Sequence, residues 1–444
     1  MKLNKYINNI SGLQISQLIR FVTLFLIGVI FTKTELTITD IGAYEKLLFI
    51  ASAVSFFWIS GLTQSFLPLY GNNKTFNKAR AINNEKSPEF FNAFLLIAFL
   101  SVLSFFFVLI FKTYLSQLFN NSEPIKHFNL LLIYILISNP SYFITYFYLL
   151  KNKPKKIIQY SFVSFSLQLL FVALPSVLGY SIEYCLWGLI LISALRIIWL
   201  LLFLKRYAKF VISYKFIHEH IHLAYPLILS SLLSGSAKYI DGFLVSYYYD
   251  SAKFAIFQYG AREFPLVVIL ANAFSNAMIP EFSGKINLSS SLRMIKNKSK
   301  QFMHFLFPVT IILLFISIWL YPIIFNENFV QSAYIFNIYL LLIVSRMVFP
   351  QTILIGLKRS KIILTGSFLE IIINITLSIL FINLWGLIGV AIATVVAYFF
   401  EKLLLVYLVY KKLNILPTHY IPVKLHFIYS FITFLAYFIV IYYL

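Results

Sequence analysis

Long apolar runs separated by short polar turns fill the chain from residue 11 to residue 443. A helix crossing a hydrocarbon layer of about 30 Å needs roughly 20 apolar residues. Such runs fall at about 11–32, 41–69, 90–111, 128–150, 157–179 and 184–204. Seven more fall near 223–248, 254–282, 302–325, 330–356, 362–384, 386–410 and 423–443, which makes thirteen predicted spans. Composition supports the pattern: of 444 residues, 60% are hydrophobic and 11% charged, against about 25% charged in a soluble domain. The expected class is an all-α polytopic membrane protein, which excludes a soluble enzyme or a disordered tail. Met1–Ile10 is short and polar and the first run lacks a small-residue cleavage pattern, so no cleaved signal is expected.

The net charge of +21 would suggest a polyanionic partner in a soluble chain. Its distribution says otherwise. Twenty-four Lys and Arg lie at the N-terminus and in alternate loops, among them Lys151, Lys153, Lys155, Lys156, Lys296, Lys298 and Lys300. The opposite loops hold four: Lys33, Lys112, Lys126 and Lys253. Such a bias predicts a cytoplasmic N-terminus and makes the basicity topological, with no role in nucleic-acid binding. The single cysteine, Cys185, can make neither an intramolecular disulfide nor a cysteine-based metal site.

Landmarks recur in order along the chain. Leu67–Pro68 returns as Ile279–Pro280, Pro140 as Pro350, the basic turn at Lys151 as that at Lys358, and Trp187-Gly188-Leu189-Ile190 as Trp385-Gly386-Leu387-Ile388. The series predicts two six-helix bundles, residues 1–210 and 211–412, with an additional C-terminal span in 413–444. An even number of spans per half makes the expected pseudo-two-fold axis parallel to the membrane normal.

No phosphate-binding loop occurs: Gly284-Lys285 is followed by isoleucine. His218, His220 and His222 with Glu219 lack the H-E-x-x-H spacing and are expected to form a solvated connector. With short outer loops and no catalytic constellation, the chain is expected to be no enzyme and to need no cofactor or bound metal.

Ionisable groups at membrane depth are more informative, since each costs about 2.5–3.5 kcal/mol or more unless it faces protein or water. The deep cations are Arg20, Arg196, Lys238, Arg262 and Arg346, and the deep anions Asp241, Glu263 and Glu370. Lys238 and Asp241, three residues apart, can pair on one helix face. Arg262 and Glu263 are adjacent and point about 100° apart on a helix, so they cannot pair on one face. Arg346 has Glu370 as a candidate partner across the next hairpin. Arg20 has carbonyls and Gln14 or Gln17 of its own span. Glu401, Lys402 and Lys424 lie near cytoplasmic span ends and are expected to snorkel, and Glu45, Lys46 and Glu281, also near span ends, are expected to be interfacial. The excess of positive charge favours an anionic, phosphate-bearing substrate, because a guanidinium fork matches two phosphate oxygens.

Ile41-Gly42-Ala43-Tyr44-Glu45, Leu67-Pro68, Tyr239-Ile240-Asp241, Ile279-Pro280 and Trp385-Gly386-Leu387-Ile388-Gly389 complete the pattern. With them, residues 10–410 resemble the multidrug/oligosaccharidyl-lipid/polysaccharide (MOP) exporter superfamily, closest to its Wzx-type O-antigen flippases. The resemblance implies a MATE-like fold in the inner membrane. It also implies turnover of a polyprenyl-diphosphate-linked oligosaccharide from inner to outer leaflet by alternating access, coupled to a proton or sodium ion. The substrate-facing candidates it implies are Arg20, Lys238, Arg262 and Arg346, and the ion-coupling candidates Asp241, Glu263 and Glu370. Membrane lipid and other polysaccharide-assembly proteins are the expected partners. Thirteen spans depart from the family's usual twelve or fourteen; peptidoglycan-precursor flippases of the same superfamily are a near neighbour. The alternatives are a MATE-type multidrug or cation antiporter, and a membrane-embedded ligase or polymerase.

Overall fold

The computed structural model describes residues 9–72, 86–119, 124–283, 288–357 and 359–443. It is all-helical apart from one isolated bridge between Ser87 and Ala208. Nine helices among the described residues are long and apolar enough to cross a membrane, and two bent pairs raise the number to eleven. Phe99, Ile110 and Phe427 are 59%, 72% and 70% exposed. Apolar side chains so displayed on long helices belong against lipid. The chain is a multi-pass membrane protein.

Two compact units divide it: Met1–Gly235 with Ser246–Ala252, and Ser236–Val245 with Lys253–Leu444. The first holds α1 (Asn9–Thr32), α2 (Ile38–Ala53), α3 (Phe56–Asn72), α4 (Pro88–Ile110), α5 (Lys112–Phe119), α6 (Phe128–Ser138), α7 (Phe143–Leu150), α8 (Pro154–Val177) and α9 (Ile182–Tyr207). Its core is aromatic. Phe66 meets Phe90, Phe143 and Phe147 at ring separations of 6.1, 5.8 and 5.6 Å.

Two spans of this unit are broken, and the breaks meet. The bend between α2 and α3 is 46°, and Pro140 turns the chain between α6 and α7 through a short 3₁₀ segment, Asn139–Tyr142. Asn139 Nδ2 donates to Ser55 Oγ at 3.1 Å, joining the two interruptions through buried side chains. Side chains can satisfy polar groups freed at such breaks inside a membrane protein.

Helix α10 (Tyr214–Tyr248) begins nine residues before the predicted apolar run. That early start corrects the expectation of a solvated histidine connector. His218 and His222 are exposed, but His220 is fully buried between Phe66 and Phe216, with Nε2 3.0 Å from the Leu62 carbonyl. On a helix His218 and His222, four apart, share one face, and His220 points to the opposite one, into the unit.

The second unit contains α11 (Ser251–Gly260, in part), α12 (Pro265–Ser283), α13 (Leu288–Ile324), α14 (Val330–Leu340), α15 (Ile343–Arg346), α16 (Pro350–Gly356), α17 (Ser360–Leu413), α18 (Pro417–Tyr420) and α19 (Val423–Tyr443). Helix α17 is two helices folded back at Gly386, whose φ of 62° suits a residue without Cβ. The last helix docks on α13: Phe307 stacks on Tyr429 at 5.1 Å, and the Tyr429 hydroxyl meets His304 Nδ1 at 2.9 Å.

Candidate functional site

The charged residues singled out from sequence do not behave alike. In the second unit the chain between α11 and α12 is non-helical over Ala261–Phe264, with a 55° bend. Pro265 begins the next helix, where its missing N–H costs nothing. The expectation of a continuous helix through Arg262 and Glu263 is therefore corrected. Across the break the adjacent side chains take different partners. Arg262 lies 4.8 Å from the Tyr259 ring and donates from Nε to the Gln258 carbonyl at 3.2 Å. Glu263 turns to Arg346, accepting from Nε at 2.8 Å and from Nη2 at 2.6 Å in a two-point pair. The Tyr398 ring lies 5.3 Å from the same guanidinium. Arg346 thus pairs with Glu263, not with Glu370, because both residues sit at helix breaks.

Asp241 is buried. Its Oδ2 accepts from Tyr339 Oη at 2.7 Å and from Thr394 Oγ1 at 2.6 Å. Asn374 Nδ2 reaches Thr394 Oγ1 at 3.3 Å, and Ser378 Oγ reaches Asn374 Oδ1 at 3.2 Å. The Thr394 hydroxyl also lies 3.1 Å from the Val390 carbonyl. Asp241 Oδ1 has no hydrogen-bond partner among the described residues. A buried carboxylate with two hydroxyls on one oxygen and the other oxygen open matches the preference of a small hard cation or a proton for oxygen ligands. No group of three or more His, Cys, Asp or Glu able to hold a metal occurs among the described residues. The Lys238 side chain lies outside those described.

One turn along α17 from Asn374, Glu370 is 3% exposed and its Oε1 is without a hydrogen-bond partner among the described residues. Beyond it, Glu401 accepts from Ser367 at 3.0 Å and from Gln351 at 3.4 Å, and Lys402 donates to Gln351. Glu401, expected to snorkel, is only 6% exposed. The hairpin at Gly386 presses that part of the span against its neighbour. Sequence reasoning also missed Tyr339, Asn374 and Thr394. The available signal is the i, i+4, i+8 spacing of Glu370, Asn374 and Ser378 in an apolar helix, which puts them on one face.

In the first unit Arg20 lies 5.6 Å from the Tyr142 ring. Arg196 donates to Ser164 and Gln168, each at 2.6 Å.

Among solved structures, the chain is similar to the lipid II flippase MurJ in an inward closed conformation. They share 19% identity, with 97% of this chain and 92% of that chain covered, at a TM-score of 0.70. An inward-facing multidrug resistance MATE family transporter of the MOP superfamily aligns at 11% identity, covering 89% and 96%, with a TM-score of 0.63. A MOP superfamily transporter from Pyrococcus furiosus, described as having a binding pocket of reverse polarity, aligns at 12% identity, covering 91% and 94%, with a TM-score of 0.57. At such identities the likeness shows a common fold. No curated protein sequence matches the chain. The sequence profile of the polysaccharide biosynthesis protein family matches residues 72–334, more than half of the chain. With its helices in the fold those transporters share, the chain belongs to that polysaccharide biosynthesis protein family.

Proposed function

We propose that the protein is a flippase of the inner membrane, with its N-terminus in the cytoplasm. It turns a polyprenyl-diphosphate-linked oligosaccharide, such as an O-antigen repeat unit, to the outer leaflet by alternating access. The observation that carries this reading is that two guanidiniums at membrane depth, Arg20 and Arg262, each lie beside a tyrosine ring, at 5.6 and 4.8 Å. An arginine beside a tyrosine offers a fork for phosphate oxygens next to an aromatic face for a sugar ring. Lys238 and Arg346 complete the substrate-facing candidates. For Arg346 this requires the Glu263 pair to open or to present its outer edge.

Coupling is assigned to Asp241, whose free oxygen and surrounding hydroxyls suit sodium or a proton. Glu370 serves as a second carboxyl on the same polar stripe, and Glu263 as the switchable partner of Arg346. Mass spectrometry of lipids from a deletion strain tests the reading. One complete polyprenyl-diphosphate oligosaccharide should accumulate, and be cleared by the wild-type chain but not by Arg262→Ala. Unaltered lipids in a strain that makes the precursor and has no redundant flippase would sink it. The buried carboxyls Asp241 and Glu370 favour a second reading, a cation-coupled multidrug antiporter. Drug hypersensitivity of the same strain with unaltered lipids would promote it.

A further inference from the structure

Arg196, on α9, is held by the side chains of one neighbouring helix. Its Nε donates to Ser164 Oγ and its Nη2 to Gln168 Oε1, and the Phe165 ring centroid is 4.9 Å from the guanidinium carbon. All three partners stand within one turn and a half of α8, so a single neighbouring helix orients the fork. All three are neutral. They aim the charge without compensating it.

Among the described residues no carboxylate forms an ion pair with it either. Helices α1, α6, α7 and α8 contain no Asp or Glu; α2 and α4, which also pack on α9, carry Asp40, Glu45 and Glu89, none of them paired with Arg196; and the one acid of α9, Glu183, lies thirteen residues from it. That separation is about 20 Å along a helix. The hydroxyls of Tyr134 and Tyr160 stand within electrostatic range of the guanidinium. Tyr160 is buried edge-on against Trp199 at 5.3 Å and Tyr134 is half-buried, and a tyrosine hydroxyl beside a guanidinium can donate to the same anion. A guanidinium at membrane depth is expensive when uncompensated. Here its two hydrogen bonds use two of the five N–H donors such a group carries.

We infer that Arg196, aimed by Ser164 and Gln168 and flanked by Tyr134 and Tyr160, is an oxyanion subsite within the first unit that receives an acidic group of the lipid-linked sugar. The group is a sugar carboxylate or the diphosphate, both of which present paired oxygens to a guanidinium. The inference rests on the flippase reading and adds to it a residue and a ligand chemistry.

The test uses the full-length protein in nanodiscs. Equilibrium binding of radiolabelled undecaprenyl diphosphate is measured alone and in competition with glucuronate or glucose. Arg196→Gln should weaken one arm about tenfold or more, a loss of about 1.4 kcal/mol. Weaker undecaprenyl diphosphate binding supports the subsite and assigns it to the diphosphate. Unchanged undecaprenyl diphosphate binding with loss of competition by glucuronate supports it and assigns it to a sugar carboxylate. Wild-type values in both arms overturn it. Gln168→Leu keeps the charge and releases the fork; it should weaken the same arm by a smaller factor, and it carries the test if Arg196→Gln does not fold. A wild-type protein that binds neither undecaprenyl diphosphate nor glucuronate would overturn the flippase reading itself.

Discussion

Glu263 and Arg346, eighty-three positions apart in sequence, close a two-point ion pair at 2.6 and 2.8 Å between two interrupted spans of the second unit. In the first unit, Ser55 and Asn139 hydrogen-bond across the breaks of spans two and four. By the order of the sequence landmarks, those are the counterparts of spans eight and ten. One joint is neutral and the other ionic. Only the ionic one can change strength with a ligand's charge, as the role proposed for Arg346 requires.

Removing either member of the pair strands its partner. Arg346 and Glu263 side chains are 22% and 26% exposed, so water relieves part of the cost. Glu263→Gln and Arg346→Gln should each destabilise the protein by about 1.5–3 kcal/mol, the range for hydrogen bonds to charged groups. Thermal unfolding in detergent measures this. The exchange Glu263→Arg with Arg346→Glu should recover a large part of the loss, and two additive losses would deny the coupling.

Asp241 gives a second prediction. Its Oδ2 is held by two hydroxyls while Oδ1 is free among the described residues. Asp241→Asn should preserve folding and abolish stabilisation of the purified protein by sodium or by lowered pH. Thr394→Ala should weaken it by about 0.5–1.5 kcal/mol, one neutral hydrogen bond. A sodium- and pH-dependent unfolding temperature that persists in Asp241→Asn would place the coupling ion elsewhere.

A third concerns the connector after α9. Asn92 is buried, donates to the carbonyls of Pro88 at 2.8 Å and Val211 at 2.9 Å, and accepts from the Ser213 N–H at 3.0 Å. Ser87 adds two backbone bonds, from its N–H to Tyr207 and from Lys209 back to its carbonyl. Asn92→Ala removes three bonds, two of them to the largely exposed stretch 211–213, and should cost about 0.5–1.5 kcal/mol for each. Limited proteolysis should then cut within residues 208–213 while the wild type resists. Equal resistance would show that the Ser87 bonds suffice.

The spans and deep charges are legible in sequence because hydrocarbon imposes a length and penalises every ion in it. Partner choice is not. Nothing near Arg346 in sequence points to Glu263, and Pro265 hints at the break without saying which way the chain turns. Tyr339 and Thr394 look like ordinary members of their spans until a fold sets both against Asp241. Glu401 looks terminal by position, yet the hairpin at Gly386 buries it. Periodicity carries information about one helix at a time, and these sites are built from three.

Glu370 carries the fourth prediction. A carboxyl that is 3% exposed and has an oxygen without a partner is a stability liability that an apolar side chain of similar size would remove. Glu370→Leu should raise the unfolding temperature, by the equivalent of about 1–3 kcal/mol for an unsatisfied buried polar group. Functional sites characteristically keep such costs, so the gain in stability should come with lost transport. Both readouts are needed. Higher stability with full clearance of the lipid-linked precursor would make Glu370 dispensable to coupling. Lower stability would mean that the carboxyl is satisfied, by water or by an ion, and that the leucine displaces that partner.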